Sequence, residues 1–152
     1  IHTNALPKGR ISRGMETYTL GMHRAADNLD VAKRENSVIT LESNYEEKYE
    51  GFDPNSSESY IIFEFMQDQN MASSVSFAKE VQQQFAQTAG RINKGVFQAG
   101  FLVLRETSMP SVLIELGYIS TPDEEQYLNT QKGQQAMAQS IFNAFKSYKN
   151  KK

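Results

Sequence analysis

Pro110-Ser111-Val112-Leu113-Ile114-Glu115-Leu116-Gly117-Tyr118-Ile119-Ser120 is the stretch on which the reading of this chain turns. Its apolar run, bounded by Pro110 and Pro122, reads as a strand buried on both faces, as in a sheet covered by helices. A single acid, Glu115, lies inside it. An ionised carboxylate in such surroundings is costly unless something pairs with it. Two readings stay open. One is an acid held by a core arginine or by backbone amides. The other is a general acid or base at the end of a central strand, tuned by burial.

Working outward, residues 101–105 form a second short apolar run after Gly100 and read as another buried strand. Residues 15–22 are β-prone and read as a strand. Ile1-His2-Thr3-Asn4-Ala5 reads as the stub of an apolar strand carrying a histidine. Residues 6–14, punctuated by Pro7, Gly9 and Gly14, are a basic loop. Helices are expected over 25–34 and over 56–69, the latter with Ile61, Ile62, Phe65 and Met66 on one face. Residues 71–89 carry the clearest helical period, through Met71, Val75, Ala78, Val81, Phe85 and Ala89, and Gly90 stops it. Thr121-Pro122-Asp123-Glu124-Glu125 is a helix start, with a Thr cap, Pro at the first position and acids at the positive end. Residues 134–148 are a last amphipathic helix with Met137, Ile141, Ala144, Phe145 and Tyr148 inward. Residues 35–55 are irregular. The alternation of strands and helices predicts an α/β fold.

The 152 residues suit one domain with a real core. Lys plus Arg number 16 against 18 Asp plus Glu, a balance that argues against a nucleic-acid or membrane surface. The absence of cysteine excludes disulfide scaffolds, Cys zinc fingers and thiol catalysis. No run approaches the ~20 apolar residues of a membrane span. The chain opens without Met and within an element, and is read as a cut end of a longer natural protein.

Few side chains are candidates for chemistry. His2, at a strand end, is a candidate metal ligand, because ligands in α/β sheets gather at the carboxyl ends of strands. His23 lies in a polar stretch and reads as solvent-exposed. Asn4 is either an orienting residue or a turn cap. Glu16 is expected to pair with Arg13 or another nearby cation. Glu42, Glu46 and Glu47 are acids of the irregular segment. Residues 94–100 lack phosphate-loop spacing, and no serine nucleophile elbow is present.

Together these pieces resemble the zinc-dependent N-acetylmuramoyl-L-alanine amidases of the bacterial cell-separation type. Residues 1–5 look like the family's Ser-Ile-His-x-Asn-Ala motif, 14–21 like the strand that follows, 93–105 like the loop and strand before the catalytic motif, and 109–120 like that motif itself. The resemblance implies a twisted, mostly parallel or mixed sheet of about six strands with helices on both faces, lacking its N-terminal strands here. It implies zinc as cofactor, His2 as one zinc ligand and Glu115 as the catalytic acid. It also implies hydrolysis of the amide between N-acetylmuramic acid and L-alanine in peptidoglycan, in the periplasm or cell envelope, in cell-wall turnover and division.

Two departures shape the expectation. The family's Gly-His-Gly-Gly histidine and its ligand glutamate have no counterpart in this sequence, so the chain alone is expected to bind zinc poorly and to be inactive. The surplus at about 25–59 falls where division-type amidases carry an autoinhibitory insertion displaced by an activator protein. Arg34-Glu35-Asn36 looks like the junction into it, and Glu42, Glu46 or Glu47 is expected to reach toward the metal. The competing readings are a peptidoglycan-binding module that has lost the chemistry, and a zinc carboxypeptidase-like peptidase. The zinc-amidase reading requires His2 and Glu115 to flank one cavity.

Overall fold

β-Branched and aromatic residues fill Met15-Glu16-Thr17-Tyr18-Thr19-Leu20, and the whole run is buried. In the computed structural model, which describes residues 1–21, 26–65, 70–105 and 107–151, this run is an inner strand of a four-stranded sheet. The elements in chain order are β1 (His2–Asn4), β2 (Met15–Leu20), α1 (Ala26–Asn36), a 3-10 turn (Ser37–Leu41), α2 (Tyr45–Lys48), a second 3-10 turn (Glu58–Ile61), α3 (Ile62–Phe65), α4 (Met71–Thr88), β3 (Asn93–Ala99), α5 (Leu102–Arg105), β4 (Leu113–Tyr118), α6 (Pro122–Leu128) and α7 (Gln131–Asn150). The strand order is β1-β4-β2-β3. β1 runs parallel to β4 and β2 parallel to β3, while β2 and β4 are antiparallel.

The sheet is therefore mixed, as expected, but has four strands among the described residues and not six. Two segments exchange roles. Residues 93–99, expected to hold a loop, form β3, and residues 102–105, expected to be a strand, form the short helix α5. A brief apolar run reads equally well as either structure, and β3 satisfies its backbone against β2 over its whole length.

Side chains alternate across β2 and build a core on each face. Met15 points to α4 and α7 and packs with Val81, Phe85, Met137 and Ala144. Thr17 is hydrogen bonded to the side-chain amide of Gln82 on α4 at 2.8 Å. Tyr18 and Leu20 face the other way, toward Val31 and Ala32 of α1, Ile39, Phe52, Tyr60, Phe63 and Phe101. Helices thus cover both faces. Ile39 and Phe52 belong to this second core, so the 35–55 segment is packed into the domain and is not merely draped over it.

Within 58–63 the inward residues are Tyr60 and Phe63, while Ile61 and Ile62 are exposed, because a 3-10 turn replaces the first helical turn and rotates the face. His23 and Met66 lie outside the described residues. Phe145, expected inward, is exposed, with only its ring edge against Phe77. Thr121 precedes α6 as expected, but its hydroxyl donates to Ser12 O (2.9 Å) and so ties down the 6–14 loop.

Gly117 is the pivot of β4. Between His2↔Glu115 and Asn4↔Tyr118, β1 advances two residues and β4 three, which is a bulge. Its backbone sits at φ +151°, and a Cβ there would lie 2.5 Å from Glu124 Oε2 and 3.0 Å from Arg91 Nη2. That carboxylate pairs with Arg91 (2.5 Å) and accepts from the N–H groups of Gly14 (3.3 Å) and Tyr118 (3.2 Å). The bulge brings Tyr118 round to the same face as Glu115. Gly117→Ala is expected to cost roughly 3 kcal/mol, from backbone strain and displacement of this buried ion pair. Chemical denaturation of the variant against the unsubstituted protein measures it.

Candidate active site

β1, β4 and β2 lie side by side, and they carry His2, Glu115 and Glu16 to one neighbourhood. His2 is in register with Glu115 on β4, and Glu115 is in register with Glu16 on β2. The two residues on which the sequence reading depends are thus cross-strand neighbours.

Glu115 is 1% exposed, and neither of its carboxylate oxygens has a hydrogen-bond partner among the described residues. Burial pushes its pKa up to about 8, and the nearby Glu35 and Glu16 carboxylates add to the rise, while Arg34 opposes it. Neither the core arginine nor the backbone amides of the structural reading are found here.

Glu16, its neighbour, is richly partnered. It accepts from Asn4 Nδ2 (2.9 Å), Tyr18 Oη (3.0 Å) and Tyr118 Oη (2.7 Å), and lies 3.2 Å from Lys94 Nζ. Burial raises the Tyr18 and Tyr118 hydroxyls above their ordinary values, which keeps them as donors. The expected cation is thus Lys94, because Arg13 is engaged by Asp123 at 2.6 Å. Asn4 bridges Glu16 to Arg34 and caps no turn.

The last turn of α1 supplies three consecutive contacts. Arg34 donates to Ala5 O (2.6 Å) and Asn4 Oδ1 (2.8 Å), anchoring the end of β1. Glu35 Oε2 lies 2.5 Å from His2 Nδ1. Asn36 donates to Gly100 O (2.7 Å) and to Tyr60 Oη (3.2 Å), and accepts from Leu102 N (3.0 Å). Glu35 was not singled out as a site acid by the sequence reading. No sequence signal marks it, because its contact depends on where α1 crosses β1.

The acids expected to reach the metal are placed elsewhere. Glu42 is paired with Lys48 and accepts from Tyr49 Oη (2.8 Å), and Glu46 and Glu47 are exposed on α2. The acid beside His2 is Glu35.

A catalytic zinc usually has three protein ligands and one open position. His2, with its Nδ1 held by a carboxylate, has the support that ligand histidines commonly have. Among the described residues, however, no three His, Cys, Asp or Glu side chains are grouped to hold a metal ion. The donors present make part of a zinc site and do not fit a complete one.

The chain is thus an α/β domain whose mixed sheet carries a histidine and, on the adjacent strand, a buried glutamate without a hydrogen-bond partner among the described residues. The chain belongs to the N-acetylmuramoyl-L-alanine amidase family, whose family model matches residues 1–147. It is 38% identical over 93 residues to N-acetylmuramoyl-L-alanine amidase AmiC of Escherichia coli O6:H1, an alignment covering 59% of this chain and 21% of that protein. To the probable cell wall amidase LytH of Staphylococcus epidermidis it is 38% identical over 82 residues, covering 49% of this chain and 28% of that one. Among solved structures, an N-acetylmuramoyl-L-alanine amidase from Clostridium difficile 630 superposes with a TM-score of 0.62 at 24% identity, over 99% of this chain and 56% of that one. The catalytic domain of the amidase CwlV from Bacillus (Paenibacillus) polymyxa var. colistinus gives 0.54 at 25% identity, over 97% and 55%. The chain thus spans about half the length of these solved structures, and its alignments cover 21% and 28% of the two curated relatives.

The titration of Glu115 has a sign that can be checked. Its folded pKa, about 8, lies above the unfolded value, so the folded state holds a proton that the unfolded state has released between about pH 4.5 and pH 8. Its contribution to stability is therefore most favourable at low pH and declines as pH rises through that window. Urea denaturation between pH 5 and pH 8 is expected to show Glu115→Gln losing less stability with rising pH than the unsubstituted protein.

Proposed function

We propose that this chain is the part of a peptidoglycan amidase that carries its acid–base glutamate and one of its metal ligands. The whole enzyme hydrolyses the amide joining the lactyl group of N-acetylmuramic acid to the L-alanine of the stem peptide. The observation that carries this reading is Glu115, a buried carboxyl without a hydrogen-bond partner among the described residues, set beside His2 on the neighbouring strand. A fold kept only for binding has no use for a carboxyl held at that cost. A group with a pKa near the working pH can take a proton from the attacking water and return it to the departing amine.

Each neighbour has a part in this chemistry. Burial and the carboxylates of Glu35 and Glu16 hold Glu115 near the point of proton exchange. Glu35 fixes the His2 imidazole through Nδ1, leaving the other ring nitrogen for a ligand. Arg34 and Asn4 hold β1 against α1, so the His2 backbone keeps its distance from β4. Zinc is the proposed cofactor of the whole enzyme, with His2 as the ligand that this chain contributes.

The substrate implies an envelope location and a role in cell-wall turnover, including separation of daughter cells. No helix among the described residues is long and apolar enough to cross a membrane. An activator protein acting on residues 25–59 is the proposed partner besides peptidoglycan. Two exposed apolar residues of that segment, Val38 and Leu41, offer it a contact. One structural neighbour, CwlD of Clostridioides difficile, has been solved in complex with the GerS lipoprotein.

The test uses a full-length protein containing these residues and purified muropeptides. Release of intact stem peptide from the sugar is the expected product, whereas trimming of the stem from its carboxyl end would point to a peptidase instead. Glu115→Gln is expected to lower kcat by about 10²–10⁴-fold with metal content unchanged. His2→Ala is expected to lower bound zinc as well, measured by atomic emission.

A further inference from the structure

The near balance of charge over the whole chain conceals an uneven distribution. All 18 acids lie before residue 131, whereas Lys132, Lys146, Lys149, Lys151 and Lys152 lie after it. α7 therefore carries no acid along its whole length. Lys151 is paired with Glu80 of α4, but Lys146 and Lys149 are exposed and enter no ion pair among the described residues. Cations near a helix C-terminus suit the dipole, and lysines alone need no other reason. The rings beside them are not explained that way. Phe142 and Phe145 are 61% and 55% exposed, on a helix that has already buried Met137 and Ala144. Ala138, Phe142, Phe145 and Lys149 follow at intervals of four, three and four, so they form a second stripe beside the buried one, and all four are exposed.

The position of this stripe in the fold matters. α7 packs on the sheet face that carries Met15 and Ile114. Glu16 and Glu115 project from the opposite face, by the alternation of β2 and β4. The exposed stripe is thus turned away from the site, with the sheet between them. We propose that this face of α7 docks the protein on an anionic lipid surface. The helix lies in the interface plane, with Phe142 and Phe145 inserted between headgroups and Lys146 and Lys149 against the phosphates. This goes beyond the amidase reading and does not depend on it. A helix that sets aromatic rings among lysines matches a surface that is apolar beneath and negative at its boundary. A dissolved polyanion would satisfy the lysines and leave the rings in water. A second copy docked through the same patch would bring Lys146 and Lys149 toward their own counterparts, and like charges would oppose it. The helix rests on the bilayer and does not cross it, since Met137 and Ala144 hold its other face to the core. A protein docked this way presents Glu115 on the side away from the lipid.

The experiment uses a full-length protein containing these residues, sedimented with vesicles of phosphatidylcholine alone or with about one-third phosphatidylglycerol. Binding to the phosphatidylglycerol vesicles and not to the others is expected. Lys146→Gln and Lys149→Gln are each expected to weaken it about fivefold. Phe142→Ser is expected to weaken it about tenfold, and Phe142→Trp to restore it. All three positions are exposed, so thermal unfolding of these variants is expected to match that of the unsubstituted protein. None of them touches the site, and stem release from soluble muropeptides is expected to stay unchanged. Sedimentation that is absent, or equal with both kinds of vesicle, overturns the proposal. Binding that falls in the lysine variants but not in Phe142→Ser also overturns it, and assigns the lysines to a soluble polyanion instead. Vesicle binding without stem release keeps the docking surface and overturns the amidase.

Discussion

Two carboxylates stand side by side on one face of the sheet and are treated in opposite ways, and the site follows from that difference. Glu16 collects donors from Asn4, Tyr18 and Tyr118 and the charge of Lys94. Glu115, its cross-strand neighbour, has no hydrogen-bond partner among the described residues and is buried. Like charges directly opposite in an antiparallel pair repel. A negative neighbour that is stabilised in place makes it harder for the second group to ionise. The polar network around Glu16 is therefore part of what raises the pKa of Glu115, alongside burial and Glu35.

Backbone geometry sets up this arrangement. Without the bulge at Gly117, strict alternation would send Tyr118 to the α4 side, and Glu16 would lose one of its donors. Glu124 can approach only because Gly117 has no Cβ, and it ties the starts of β2 and α6 to the end of β4. At the other end of the site, a single helical turn binds β1 through Arg34, His2 through Glu35 and the β3–α5 turn through Asn36. Deleting residues 35–55 would remove Glu35, Asn36, Ile39 and Phe52 together, so it would open the core.

Much of this was legible in the sequence, for identifiable reasons. The run around Glu115 announced a buried strand, because alternation gives way to continuous apolar residues when both faces are covered. The helical period of 71–88 is strong enough to survive any register error. The pairing of His2 with Glu115 followed from resemblance, and not from spacing, since residues 113 apart meet only through the sheet topology. That 93–99 forms a strand and 102–105 a helix was not legible, because 93–99 is largely polar, 102–105 is a short apolar run, and only hydrogen bonding to β2 makes the first a strand. The role of Glu35 was missed because an acid at a helix end ordinarily faces solvent. Its geometry depends on where α1 crosses β1.

Strand order has one more consequence. β1 has β4 on one side only, and it lies at the margin of the sheet. Its outer row of backbone amides and carbonyls is open to pairing among the described residues, so this is where the sheet can accept another strand. A segment docking in that plane would lay its side chains directly alongside the imidazole of His2. The open margin of the sheet and the histidine thus lie on the same short strand.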